Sequence, residues 1–212
     1  PKPSSAASDV YKRQKLKLDC PDFNCLNNQL NFTEGTLMPE TYFYNFNSPA
    51  SNILIKSQDS FIEYAQLLWK KKQPSNPLKT LDEAIILASI VEKEAGNNKE
   101  KPIIAGVFLN RLNLNMRLQA DPTIIYGLLP HFNGNITKLN LQDSSNRYNT
   151  YKIKGLPPTP IAMISKSSLE AVILGIPNNY VYFVAKGDGT HYFSTNYADH
   201  LKAVRKFQLN KS

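Results

Sequence analysis

TLDEAIILASIVEKEAG, Thr80 to Gly96, is the most strongly patterned part of this 212-residue chain. Thr80 and Glu83 have the spacing of a capping box, with a hydroxyl on the third backbone N–H and a carboxylate reaching back, which marks a helix start. From Ala84 to Val91 only Ser89 is polar, the pattern of a helix covered by protein on most sides. Leu87, Ile90, Val91 and Glu94 fall at i, i+3, i+4 and i+7, so Glu94 continues the apolar stripe by one turn. A carboxyl group there is expected to be partly desolvated with a raised pKa, the condition for a general acid near neutral pH. Glu92 lies about 200° around the helix and cannot face the same substrate, so it reads as a structural or supporting group. The plainer alternative leaves Glu94 fraying into solvent, with Gly96 as the stop.

The flanking segments set this helix among others. NKEKPIIAGVFLNRLN puts Pro102 in a first-turn position and Ile103, Val107 and Asn110 or Arg111 on successive turns, predicting a second helix. Only Gly96 to Lys99 separate the two, so they should pack as neighbours. Asp121 and Pro122 read as N-cap and N1 of a short helix stopped by Gly127. Pro130 to Arg147 is polar and irregular, with a turn at Asn133-Gly134. YNTYKIKGLPPTPI, Tyr148 to Ile161, carries three prolines in four positions from Pro157, a stiff extended loop suited equally to lining a groove or linking packed elements. A helix from about Ser167 to Leu174 follows. YVYFVAK, GDG and THYFST then predict a β-hairpin, and Asn196 caps a last helix with Leu201, Val204 and Phe207 or Gln208 on its buried side. On the amino-terminal side, a helix is expected from Ser51 to Lys72, and EGTLMPETYFYN, Glu34 to Asn45, reads as a strand or loop. Without repeats or regular strand-helix alternation, the expected class is α+β, a helical core with a β-hairpin and short strands.

Composition bounds the function loosely. The net charge is +8, of which the first fourteen residues, PKPSSAASDVYKRQ, carry +2, leaving +6. That tail lacks periodicity, resembles vector-derived sequence and is set aside from the fold. The moderate positive balance suits an anionic polymer. No dense Lys/Arg run interleaves with aromatics, so no nucleic-acid partner is expected. His131, His191 and His200 lie on different elements without HExxH or paired-ligand spacing, so neither a metal nor another cofactor is expected. GxSxG, phosphate-loop and dinucleotide patterns are absent, and Cys20 and Cys25 form no zinc pattern; they are equally a short disulfide or two thiols. No apolar run approaches 20 residues. What remains is Glu94 near Asn110, Arg111, Asp121 and a tyrosine-rich loop, side chains that suit a sugar-binding cleft.

Several motifs, in order, carry a resemblance. ASIVEKEAG at Ala88 to Gly96, GVFLNRL at Gly106 to Leu112, MRLQADPTIIYG at Met116 to Gly127, YNTYKIKGLPPTPI and THYFSTN together resemble the endolytic murein transglycosylase family, also called YceG-like or MltG. EGTLMPETY matches the family pattern EGxLFPDTY, with Met38 and Glu40 as departures, and Thr159 stands where the family often has Gly. The likeness covers about Phe32 to Phe207. It implies that residues 32–212 form a catalytic domain, that 15–31 is the remnant of a LysM-like subdomain, and that Glu94 has a lysozyme-like placement on its helix.

The same resemblance implies a bacterial enzyme of the inner membrane, anchored by one amino-terminal helix missing from this chain, with its catalytic domain outside the cytoplasm. It would cut peptidoglycan glycan strands between N-acetylmuramic acid and N-acetylglucosamine, leave 1,6-anhydro ends and work beside peptidoglycan synthases. The second glutamate of the family's VEKE motif is catalytic and falls on Glu94. Tyr148, Asn149, Tyr151, Gly155, Leu156, Pro157, Pro158 and Gln119 are candidate substrate contacts. Glu92, Asn110, Arg111, Asp121, Thr123 and His191 are candidate supports, although a helix cap for Asp121 and a salt bridge for Arg111 are the default readings. A hydrolytic muramidase using Asp121 to position water, and a noncatalytic glycan-binding module, are the competing functions.

Overall fold

The computed structural model describes residues 33–45, 48–175 and 178–209. The tail, the 15–31 segment and both cysteines lie outside the described residues. The elements run α1 (Ala50–Trp69), α2 (Leu81–Glu94), α3 (Lys101–Asn113), α4 (Asp121–Leu128), α5 (Lys138–Gln142), α6 (Lys166–Ile173), β1 (Tyr182–Ala185), β2 (His191–Ser194) and α7 (Tyr197–Val204). A π-helical turn, Arg205–Leu209, follows α7. The class is α+β, with an antiparallel hairpin beside a helical core.

α2 starts at the expected cap. The Thr80 hydroxyl accepts the Glu83 N–H at 3.2 Å, a bond contributing about 1 kcal/mol at such positions. The Glu83 carboxylate accepts the N–H of Lys79 at 2.6 Å, one residue earlier than a strict capping box requires. Leu87, Ala88, Ile90 and Val91 are fully buried against Ile104, Ala105, Phe108 and Leu109 of α3, Leu169, Val172 and Ile173 of α6, and Phe61 and Ala65 of α1. Burial of each large aliphatic or aromatic side chain contributes roughly 1.5–3 kcal/mol, so this contact dominates the stability. α6 packs across both α2 and α3.

Polar groups of α2 fix what surrounds it. The Ser89 hydroxyl donates to Ile86 O at 2.7 Å and accepts the Ile161 N–H at 2.9 Å, which pins the end of the proline loop to the buried helix. Glu92, on the other side, accepts from Lys101 Nζ at 3.1 Å, from the Ser165 hydroxyl at 2.6 Å and N–H at 3.1 Å, and from the Ser168 hydroxyl. It thereby ties α2 to α3 and to the start of α6. The end of α2 meets the hairpin turn backbone to backbone: a Cβ on Gly96 would lie 2.3 Å from Gly189 O. The hairpin pairs Tyr182 with Ser194 and Ala185 with His191, which brings the first residue of β2 near the last turn of α2.

Three expectations differ. Ala120, not Asp121, occupies the N-cap of α4, because Thr123 turns its hydroxyl back onto Ala120 O at 2.6 Å and frees the Asp121 carboxylate for another partner. α5 lies inside the stretch read as irregular, held by a Thr137–Asn140 capping box. Leu201 is exposed, since α7 buries Ala203 instead.

The Glu92–Lys101 pair generates a stability prediction. Lys101 is 4% exposed, so Glu92→Gln would leave its ammonium buried without a counter-charge. We expect a loss of roughly 3 kcal/mol, the lower end for breaking a buried pair, since Glu92 keeps some solvent contact. Urea denaturation of the two proteins at pH 7 measures it.

Candidate active site

α2, α3, the loop before α4, the Tyr148–Tyr151 turn, the hairpin and α7 enclose a cleft of about 350 Å³. Glu94, Arg111, Gln119, Asp121, Tyr151 and His191 line it, joined by Phe183, Val184, Ala185, His200, Val204 and Gln208. The apolar stripe of α2 therefore ends in the cleft wall.

Two glutamates separated by one residue have opposite electrostatics. Burial raises the Glu94 carboxyl to about 8, the negative charge of Asp121 adds to the rise, and Arg111 opposes it. Among the described residues no hydrogen bond helps to hold its charge. Burial would raise Glu92 too, but the Ser165 and Ser168 hydroxyls, the Ser165 N–H and Lys101 bring it down to about 2. A carboxylate with several donors keeps its charge. A buried one without them keeps its proton.

Arg111 is the buried cation of this wall, 5% exposed. Its Nε donates to Val181 O at 2.7 Å and its Nη1 to Leu118 O, while the guanidinium lies 5.6 Å from the Tyr182 ring centre. It bridges the loop before α4 to the loop before β1 through carbonyls rather than forming the anticipated salt bridge. Its own pKa is lowered, first by burial. Asp121 accepts from the Tyr151 hydroxyl at 2.7 Å, and burial followed by this bond raises the tyrosine. Gln119 sits in the left-handed region, φ +51°, an uncommon conformation for a non-glycine residue and one associated with functional sites.

The Tyr148–Tyr151 turn holds that conformation. The Thr150 carbonyl accepts the Gln119 N–H at 3.2 Å, and its hydroxyl accepts the Ala120 N–H at 2.9 Å and meets the Thr123 hydroxyl at 2.9 Å. Thr123 is thus fully buried support behind Asp121. Asn149 is also fully buried, donating to the carbonyls of Asn140, Leu141 and Asp143 and accepting the Tyr151 N–H at 3.0 Å. Its amide is committed to loop closure and does not line the cleft.

Tyr148 likewise stands behind the cleft, its hydroxyl 2.8 Å from that of Thr159 and its ring against Tyr126. Thr159 therefore gives this tyrosine a partner. Gly155, Leu156, Pro157 and Pro158 are not part of the lining; Leu156 packs on the core, and Gly155 takes φ +79°. Asn110 donates to Tyr180 O at 2.9 Å and to Asn178 O, bracing the chain before β1. Among the described residues no cluster of three or more His, Cys, Asp or Glu could hold a metal ion.

Sequence reasoning did not anticipate the walls from the hairpin and α7, or Glu100 behind His191. Phe183, Val204 and Gln208 carry ordinary signals of a buried face, and His200 looks like a solvent-facing helix residue. A Glu at position 100 beside a second helix start gives no sign of a partner 91 residues away.

The fold and cleft define a partly buried acid at the end of a helix within an α+β domain. The chain belongs to the YceG-like family, whose model matches residues 4–206. It is 36% identical over 185 residues to a Bacillus subtilis protein named endolytic murein transglycosylase, covering 84% of this chain and 49% of that protein. A Streptococcus pneumoniae R6 protein of the same name is 31% identical over 183 residues, covering 84% and 33%. The chain thus spans about half the length of the first relative and a third of the second. The crystal structure of a putative YceG-like protein from Listeria monocytogenes is 33% identical, with a TM-score of 0.67 over 92% of this chain and 67% of that one.

Thr150→Val tests the brace. It removes the acceptor of the buried Ala120 N–H and the partner of Thr123 while nearly keeping the volume, so we expect a loss of about 1–3 kcal/mol in urea unfolding.

Proposed function

We propose that this chain contains the catalytic domain of an endolytic peptidoglycan lytic transglycosylase, within residues 32–212, that cuts glycan strands between N-acetylmuramic acid and N-acetylglucosamine without water. The observation that carries this function is the Glu94 carboxyl, lifted to about 8 in a cleft lined with polar groups. Membership of the YceG-like family and the printed names of the two relatives support it.

The chemistry follows from one group with two states. Below about pH 8 Glu94 is mostly protonated, so it can give its proton to the glycosidic oxygen as the bond to the anomeric carbon breaks. The resulting carboxylate, poorly solvated, is a stronger base than an exposed one and takes the proton of the muramyl 6-hydroxyl. That oxygen closes on the anomeric carbon, a 1,6-anhydro end forms, and the acid is restored. Glycosidases that use water divide these roles between two carboxyl groups. Arg111 offsets part of the cost of the transient charge.

In the same proposal Gln119 and Tyr151 contact the sugars, while Tyr148, Asn149 and Gly155 to Pro158 shape the loop behind them. The domain works outside the cytoplasm beside peptidoglycan synthases, joined to the inner membrane by a helix that precedes it. Among the described residues no helix is long and apolar enough to cross a membrane.

Asp121 in the same cleft supports a second function, hydrolysis with Asp121 directing water. Mass spectrometry of digested peptidoglycan separates the two. Anhydro ends are expected, whereas reducing ends mean water attack. Glu94→Gln should lower turnover roughly 10²-fold or more, the scale of a missing general acid. Wild-type cleavage should decline as pH rises through about 8, where the proton is lost. Undiminished activity of Glu94→Gln would contradict the assignment.

A further inference from the structure

His191 opens β2 opposite Ala185 and lines the cleft that holds Glu94. Its position is fixed twice by one carboxylate. Glu100 Oε1 accepts the His191 backbone N–H at 3.0 Å, and Oε2 lies 2.8 Å from Nδ1. Both side chains are nearly buried, at 10% and 13% exposure, and the rings of Phe183 and Phe193 flank the imidazole. A carboxylate that already accepts a backbone N–H is the natural acceptor for a second donor, so the Nδ1 proton belongs on the Glu100 side. In the neutral ring the lone pair is then on Nε2.

Nε2 has no hydrogen-bond partner among the described residues, yet it is not among their fully buried unpartnered atoms. It is therefore not fully sealed off, and the cleft is the space His191 lines. His200, the other imidazole of this wall, differs: it stacks on Tyr182 with ring centres 5.1 Å apart, and its Nδ1 is sealed off.

We propose that Glu100 locks His191 in the tautomer that offers Nε2 to the cleft as a hydrogen-bond acceptor for an O–H or N–H of the bound amino sugar. This rests on the glycan-cleaving function above. His191 would be a substrate contact and Glu100 a positioning residue that acts through it.

Paired substitutions separate this role from a structural one. An Asn side chain places its amide nitrogen near Nδ1 and can keep the Glu100 bond, but nothing then occupies the Nε2 position. Gln reaches the Nε2 position with its amide and loses the Glu100 bond. With purified uncross-linked glycan strands, His191→Asn should lose about tenfold in kcat/KM, mostly through KM, the scale of one hydrogen bond. His191→Gln should recover most of that loss despite melting at a lower temperature than His191→Asn. A merely structural histidine predicts the reverse order. His191→Asn matching wild type, or Gln falling as far as Asn, would overturn the proposal.

Nitrogen-15 NMR of the wild-type protein supplies a readout independent of activity. A protonated Nδ1 with a bare Nε2 is expected, and the opposite tautomer would overturn the proposal. Anhydro ends from wild type and none from Glu94→Gln would show that the enzyme function stands even where the His191 results go against this inference.

Discussion

A partly buried carboxyl group, with no donor among the described residues to hold its charge, is the constraint on which this structure turns. It arises from the helix that carries it. Because Leu87, Ile90 and Val91 are wholly buried, the next position on the same stripe is carried inward with them, and Glu94 ends up in a wall instead of in water. Burial then raises it to about 8, with Asp121 contributing. The other parts of the cleft act on this state: Arg111 moderates it, while the Thr150 brace and the Gly96–Gly189 contact fix what stands around it.

The two glutamates of α2 show how one short motif can serve both packing and chemistry. Glu92 has donors from α3 and α6, stays ionised and holds the helices together. Glu94 has none among the described residues and keeps its proton. The two-residue separation is what permits this, since about 200° of rotation sends the side chains to different neighbours. In the proposed function the acid needs rigid placement, and the first glutamate helps to give it to the second.

Much of this was legible in local pattern. The Thr80 cap, the apolar stripe through Glu94, the Pro102 helix start and the hairpin around Gly187 to Gly189 are all short-range signals, and each element is present. Where several elements converge, the sequence was a weaker guide. Tyr148 and Asn149 were expected in the cleft because they are polar and aromatic. Yet Asn149 saturates its amide on three carbonyls from a stretch read as irregular, and Tyr148 finds Thr159. Asp121 carries the local signal of a cap, and the Tyr151 hydroxyl that claims its carboxylate lies 30 residues away in the chain. The hairpin and α7 wall, and the Glu100–His191 couple, depend on contacts across many tens of residues that no periodicity encodes.

The most direct test is the titration of Glu94 itself. Carbon-13 NMR of the glutamate carboxyls, with Glu94 assigned by its loss in Glu94→Gln, follows the group without substrate. A midpoint near 8 is expected in the wild-type chain, moving lower in Asp121→Asn because a neighbouring negative charge has gone. A midpoint at the ordinary carboxylate value of 4.5, unchanged by that substitution, would contradict the account at its base.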